Sequence, residues 1–286
     1  MAIKSHIVPP LSSPIRLQEY GVGIFMSVPT KSALKKVIKK KYVEVDDVIA
    51  TTATYIRGGE TITLAIPNEI SSSKKLVFPL QVLYEDEHLA ILHKPPGILV
   101  SGNGFKTIAH ALPQNLQPSA LTDVTNPQPV HRLDYSTTGL LMTGKTGSAI
   151  RKLNQLFQDK KVQKVYYAVT IREMPPHGKI DTPIDGKPSE SPFEIIQSVP
   201  SEKYGFLNLV KLDPKTGRRH QLRKHLASIG NPILGDQMYG KEGLILTGKG
   251  LYLHAYSLDF THPFTEEQIY IKDNLPERFT KIFGTL

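Results

Sequence analysis

The sequence predicts an α+β protein, in which a large unit on a largely antiparallel or mixed sheet with few flanking helices follows a small α/β unit. Three observations carry this. Strand-like runs succeed one another through most of the chain. Helix-like segments are few and scattered instead of alternating with the strands, which argues against a repeated βαβ pattern. A polar, serine-rich stretch, Glu69-Ile-Ser-Ser-Ser-Lys-Lys75, breaks the pattern early and reads as a linker. The expected division is therefore residues 1–68, a linker over 69–76, and 77–286. A chain of 286 residues accommodates two units, because domains commonly run to about 100–200 residues.

In the first unit, Lys31 to Lys41 reads as a helix with Leu34, Val37 and Ile38 as its apolar stripe. Lys31, Lys35 and Lys39 recur every four residues and line one side, with Lys36 beside them. Tyr42-Val-Glu-Val-Asp46 alternates like a strand, and Arg57-Gly-Gly-Glu60 is a turn entering a second strand to Leu64. In the large unit, strands are expected at 80–84, 88–93, 139–143, 162–170, 204–212, 251–260 and 267–272, with helices at 147–159, 218–229 and 275–284. Segment 101–129, rich in Gly, Asn and Pro, reads as a loop.

Composition narrows the chemistry. A net charge of +9 attracts polyanions, and the lysine-rich helix fits a phosphate backbone, although a solvated helix face explains the same residues. Cysteine is absent, which excludes disulfides, thiolate metal sites and Cys nucleophiles. No apolar run is long enough for a signal peptide or a membrane span, so a soluble cytoplasmic protein is expected.

Gly139-Leu-Leu-Met-Thr-Gly-Lys-Thr146 matches the phosphate-loop pattern GxxxxGK[ST]. That motif needs an open loop whose amides wrap phosphate, whereas Leu140, Leu141 and Met142 want burial and the segment itself reads as a strand. HExxH is absent, Gly102-Asn-Gly104 is a lone glycine pair, and His220 and His225 are spaced i, i+5, off a common helix face.

The stronger constellation is His131-Arg-Leu-Asp134-Tyr-Ser-Thr-Thr-Gly139, which sets an acid and a cation on a hydroxyl-rich turn before an apolar strand. A lone Asp there is by default a turn or cap residue. Two further segments raise its standing. Tyr166, in Lys164-Val-Tyr-Tyr-Ala168, offers an aromatic face to a base. Arg223 borders the apolar face of the helix through Leu222, Leu226 and Ile229, where a guanidinium seeks a carboxylate to offset its desolvation.

The run 131–140, with Val82 to Gly97, Lys164 to Ala168, Gly217 to Gly240, and Leu253-His-Ala255 with His262-Pro263, resembles the ordered blocks of the RluA-type RNA pseudouridine synthases. The resemblance spans about residues 78–265. Thr138 stands where Ser is commoner and Arg219 where Thr is usual; the fit around Lys187 to Phe193 is poor. In the first unit, Arg16-Leu17, the lysine helix, the short strand and the Gly58-Gly59-Glu60 turn resemble an S4-type RNA-binding domain. Such domains usually have glycine before the first strand and Asn-Gly after it, where this chain has Lys41-Tyr42 and Asp46-Asp47.

The resemblance implies the pseudouridine synthase fold and cofactor-free, metal-free isomerisation of uridine in structured RNA, ribosomal ahead of transfer RNA, by a monomer. It implies that Asp134 is the catalytic aspartate, with Tyr166 stacking on uracil or also helping to remove the C5 proton, Arg223 pairing with Asp134, and Arg132 filling the gap left by the extruded base or holding the distorted backbone. His131 is expected to brace the turn. In the S4-like unit, Lys31, Lys35, Lys36 and Lys39 are the expected backbone contacts. A noncatalytic RNA-binding or ribosome-assembly protein on the same fold is the alternative; it predicts salt-sensitive binding with no change to the base.

Overall fold

In the computed structural model, residues 2–66 (apart from 26 and 29) and 76–284 (apart from 103) are described. The chain forms two compact units, residues 1–74 and 75–286. All but the last residue of the expected linker, 69–76, lies outside the described residues.

The first unit contains strands β1 (Ala2–Ile7) and β2 (Ile15–Arg16), helices α1 (Leu17–Tyr20) and α2 (Lys31–Lys39), then strands β3 (Val43–Val45), β4 (Val48–Ile49), β5 (Tyr55–Ile56) and β6 (Thr61–Ile66). Four of these form an antiparallel sheet in the order β1-β6-β3-β4. Helix α2 starts where the Thr30 hydroxyl accepts from the Ala33 amide at 3.2 Å. It buries Leu34 and Ile38 in a core with Leu17, Val43, Ile62 and Leu64. Lys31, Lys36 and Lys39 are exposed and Lys35 is half-buried; Lys31 pairs with Glu19 at 2.6 Å.

Around β3 the backbone takes positive φ at three non-glycine residues. Lys41, Asp46 and Asp47 have φ of 61°, 49° and 64°, so non-glycine residues occupy the left-handed conformation at those sites. Lys41 ends α2: its amide donates to the Ile38 carbonyl, and the Tyr42 amide donates to Val37. Asp46 and Asp47 are the two-residue turn between paired Val45 and Val48, a geometry that requires positive φ at both positions.

In the second unit the elements are β7 (Val82–Glu85), β8 (Leu89–Lys94), α3 (Ile108–Ala111), β9 (Val124–Pro129), β10 (Thr138–Thr146), α4 (Gly147–Gln158), β11 (Gln163–Ile171), β12 (His177–Ile180), β13 (Ser191–Ser201), β14 (Gly205–Leu212), α5 (Gln221–Ser228), β15 (Leu253–Thr261), β16 (Gln268–Lys272) and α6 (Glu277–Phe283). One ten-stranded sheet runs β12-β13-β14-β11-β15-β10-β8-β7, with β9 on β10 and β16 on β15. Every pairing is antiparallel except the two-residue parallel contact of β10 with β15, so the sheet is mixed and largely antiparallel.

That parallel contact makes Gly139 obligatory. Its φ is 111°, and a Cβ there would stand 2.2 Å from the Ala255 carbonyl oxygen. All nine residues of β10 are buried, and Lys145 ion-pairs with Glu85 at 2.8 Å. Gly139 to Thr146 is therefore a core strand with no loop to wrap phosphate.

The expectation of a loop over 101–129 needs correction. This segment holds α3, a 3-10 turn over Leu112–Gln114, and β9. Pro127 and Pro129 obscured the strand, but β9 pairs only with β10, and an edge tolerates residues without an amide donor. Strands β1, β2, β4, β5, β12 and β13 are also unexpected from the sequence. Helix α5 begins at Gln221, later than expected, because His220 has φ 55°.

Candidate active site

Asp134 lies on the turn leading into β10, and that turn is held from beneath. The Thr137 amide donates to the Asp134 carbonyl at 3.1 Å, and the Gly97 amide to the Tyr135 carbonyl at 2.8 Å. Lys94, the last residue of β8, is fully buried. Its ammonium donates to the carbonyls of Pro95 and Thr137, each at 2.9 Å, and of Tyr135 at 3.3 Å. Burial pushes Lys94 down to about 8, and the charge of Asp134 opposes that shift. A Lys closing the strand before Pro-Pro-Gly is the available sequence signal.

Arg223 projects from α5, whose Leu222 and Leu226 anchor it to the sheet core. Its Nε and Nη2 donate to the two carboxylate oxygens of Asp236 at 2.7 and 2.8 Å. Asp236 Oδ1 also accepts from the amides of Met238 and Tyr239. Held this way, the guanidinium turns Nη1 toward Asp134 Oδ2 at 3.5 Å. Burial works to lower the Arg223 pKa, but Asp236, with Asp134 behind it, outweighs burial and raises it. Asp236 itself sits below its usual value: burial alone would raise it, and the Arg223 hydrogen bond prevails. Arg223 thus has two carboxylate partners, and its tighter one is not Asp134.

His220, three residues before Arg223, approaches from the same side. Its Nε2 is 3.8 Å from Asp134 Oδ1, and Nδ1 is hydrogen-bonded to the Tyr239 hydroxyl at 2.9 Å. Burial lowers its pKa and Asp134 pulls the other way. Nothing in the sequence beyond its i, i+3 spacing from Arg223 points to His220 as part of this site.

Tyr166 reaches the same space from β11, where the pairing with β15 shifts register between Val165 and Tyr166. Such a bulge re-aims a side chain. Burial first, and the Asp134 charge second, raise the Tyr166 pKa and keep its phenol protonated. His131 is turned to scaffolding: its Nε2 accepts from the Met142 amide at 2.9 Å and its ring stacks on Phe157. Burial pushes His131 down to about 3, so it stays neutral. The Thr138 hydroxyl is hydrogen-bonded to His254 Nδ1 at 2.8 Å.

Arg132, Asp134, Tyr166 and Arg223 line one cavity of about 90 Å³, joined by Arg219 and His220. Among the residues lining it, Asp134 is the only acid. Arg132 is exposed. Lys31, Lys35, Lys36 and Lys39 belong to the first unit, which carries them on α2. Among the described residues no group of His, Cys, Asp or Glu is placed to hold a metal ion, and no helix is long and apolar enough to cross a membrane.

Residues 88–228 match the family model of RNA pseudouridylate synthases. The chain is 33% identical to an uncharacterized RNA pseudouridine synthase of Aquifex aeolicus, over 90% of this chain and 89% of that one. It is 33% identical to the ribosomal large subunit pseudouridine synthase D of Nitrosomonas europaea, with 87% and 78% covered. To the ribosomal large subunit pseudouridine synthase C of Pasteurella multocida it is 32% identical, with 95% and 90% covered. Among solved structures it is similar to human RNA pseudouridylate synthase domain containing 4, at TM-score 0.57 and 25% identity, over 70% of this chain and 90% of the other.

Proposed function

The chain belongs to the RluA-type RNA pseudouridine synthases, and from that membership we propose that it converts uridine in large-subunit ribosomal RNA to pseudouridine, with Asp134 as its catalytic carboxylate. The observation that carries this reading is the single acid of the cavity, Asp134, faced by the clamped guanidinium of Arg223 and by Tyr166.

The reaction breaks the N1–C1′ bond, turns the detached uracil and joins C5 to C1′; overall a proton leaves C5 and one is gained at N1. An ionised carboxylate serves as the nucleophile or as the partner of positive charge developing on the sugar. The Arg223 guanidinium, 3.5 Å from Asp134 Oδ2, faces the carboxylate as its counter-charge. A base inside a helix is out of reach, so the target uridine is in a loop or is extruded, at a cost of a few kcal/mol. Arg132, exposed and among the residues lining the cavity, fills the vacated position in this scheme. Tyr166 stacks on the uracil; a phenol held protonated is a poor base for the C5 proton. The lysines of α2 add charge that follows RNA backbone without reading its sequence. The scheme requires no metal, no cofactor and no second copy of the chain, and suits a cytoplasmic enzyme.

The test is tritium release from an unmodified large-subunit ribosomal RNA transcript labelled at uridine C5. Catalytic release is expected, with a loss of about a thousandfold or more in Asp134→Asn, as for removal of other nucleophiles. Normal release by that variant refutes the assignment.

A further inference from the structure

A second cavity adjoins the reactive one and is much larger, about 480 Å³ against about 90 Å³. The two share part of their lining, including Arg132, Tyr166 and Arg218. Its own residues have a particular chemistry. Arg132, Lys160, Lys164, Lys215 and Arg218 line it and no acid does, while Phe157 contributes an aromatic ring to its wall. One face of that ring is stacked on His131, with centroids 4.7 Å apart. The Lys164 ammonium lies 6.0 Å from the ring centroid. Lys164 is half-buried; burial lowers its pKa, and Asp213 acts on it only through its charge.

A partly desolvated cation without a hydrogen-bonded carboxylate is costly unless an anion arrives. An aromatic wall beside it suits a flat base, the combination by which proteins hold single-stranded nucleotides. The small cavity falls below the roughly 300–1,000 Å³ usual for a ligand site, and the cavity of about 270 Å³ that Asp134 also lines does not reach it, so the Asp134 site has room for about one nucleotide. Nucleotides next to the target must then lie outside it.

We propose that the Phe157–Lys164 cavity is a second nucleotide subsite, which seats the base adjoining the target uridine against Phe157 and its phosphate among Lys160, Lys164 and Arg218. This rests on the reading of the Asp134 cavity as the site for the target base. The subsite makes the local strand, and not the uridine alone, the unit of recognition.

The experiment measures binding to the full chain of two fluorescein-labelled probes, decauridylate and a ten-unit ribose-phosphate strand without bases. The wild-type protein should prefer decauridylate, and Phe157→Leu, which keeps an apolar side chain, should reduce that preference by about tenfold. Lys160→Glu changes an exposed residue clear of the core. It should weaken both probes alike and lower the salt dependence by at least about one unit in the log–log slope. An undiminished preference for bases in Phe157→Leu, or unchanged affinity and salt slope in Lys160→Glu, overturns the subsite. Neither readout needs turnover, so failure of the subsite is distinct from failure of Asp134, which the tritium assay reports.

Discussion

Asp236 has no place in the reaction, yet replacing it with Asn should damage both stability and turnover. Its carboxylate is fully buried and accepts two hydrogen bonds from Arg223, at 2.7 and 2.8 Å. An Asn amide can satisfy one of these donors and presents its own N–H groups to the other. Breaking a buried ion pair from one side costs about 3–5 kcal/mol. Asp134 remains 3.5 Å from Nη1 as a partial counter-ion, which places the loss at the lower end, about 3 kcal/mol. With a urea slope of about 3 kcal/mol/M, the midpoint of the second unit should fall by about 1 M. The freed guanidinium can also swing onto Asp134, and a misplacement of about 1 Å at a reacting group can cost about a hundredfold in rate. Urea denaturation followed by circular dichroism, together with tritium release, reads both effects. A midpoint and a kcat both equal to wild type would show that the clamp does not position Arg223.

Three further outcomes follow from local geometry. Burial holds His131 at about 3 and His254 at about 4, both below the usual value, so below about pH 6.5 the unfolded chain binds protons that the folded chain refuses. Stability should therefore fall on acidification, by about 2 kcal/mol for each imidazole at pH 5, and equal urea midpoints at pH 7.5 and 5 would contradict this. Lys41→Gly relieves a left-handed residue at the end of α2 and should stabilise the first unit by about 1 kcal/mol in thermal unfolding; a lowered midpoint refutes the strain argument. Tyr166→Phe keeps the ring and should retain turnover within about tenfold, whereas a loss of about a hundredfold or more in tritium release would restore the hydroxyl as a proton carrier.

The sequence was most informative where function sits on short segments. Asp134, Tyr166 and Arg223 each stand in a compact block, and the structure brings these three blocks to one cavity. Their supports were hidden because they act across the fold. Asp236 meets Arg223 only because a turn at Gly235 brings the chain back; a Cβ at Gly235 would lie 1.9 Å from the Gly250 carbonyl oxygen. Lys94 reads as the polar end of a strand, and only the packing of β8 on β10 puts its ammonium under the Asp134 turn. Among the strands, β9 and β13 escaped because prolines interrupt their alternation, and short apolar runs with Pro resemble loops until a partner strand is known.

The same supports bear on what Asp134 does for the fold. Active-site charges are often destabilising, so that removing one raises stability at the expense of activity. Here the charges nearly cancel: Lys94 and Arg223 supply two buried cations, Asp236 and Asp134 two carboxylates. Both cations feel Asp134, which raises the pKa of each against burial. Asp134→Asn leaves one cation in excess within a poorly solvated cluster. The variant should therefore be less stable than wild type at pH 7, by about 1–2 kcal/mol, the scale of one charge-assisted contact. It should regain part of that loss as the pH rises to about 8 and beyond, because Lys94, already lowered by burial, loses the charge that opposed that shift and sheds its proton more readily. If urea denaturation instead finds Asp134→Asn more stable than wild type at neutral pH, the carboxylate is held in place against its electrostatics, and the two cations beneath it do not form its counter-charge.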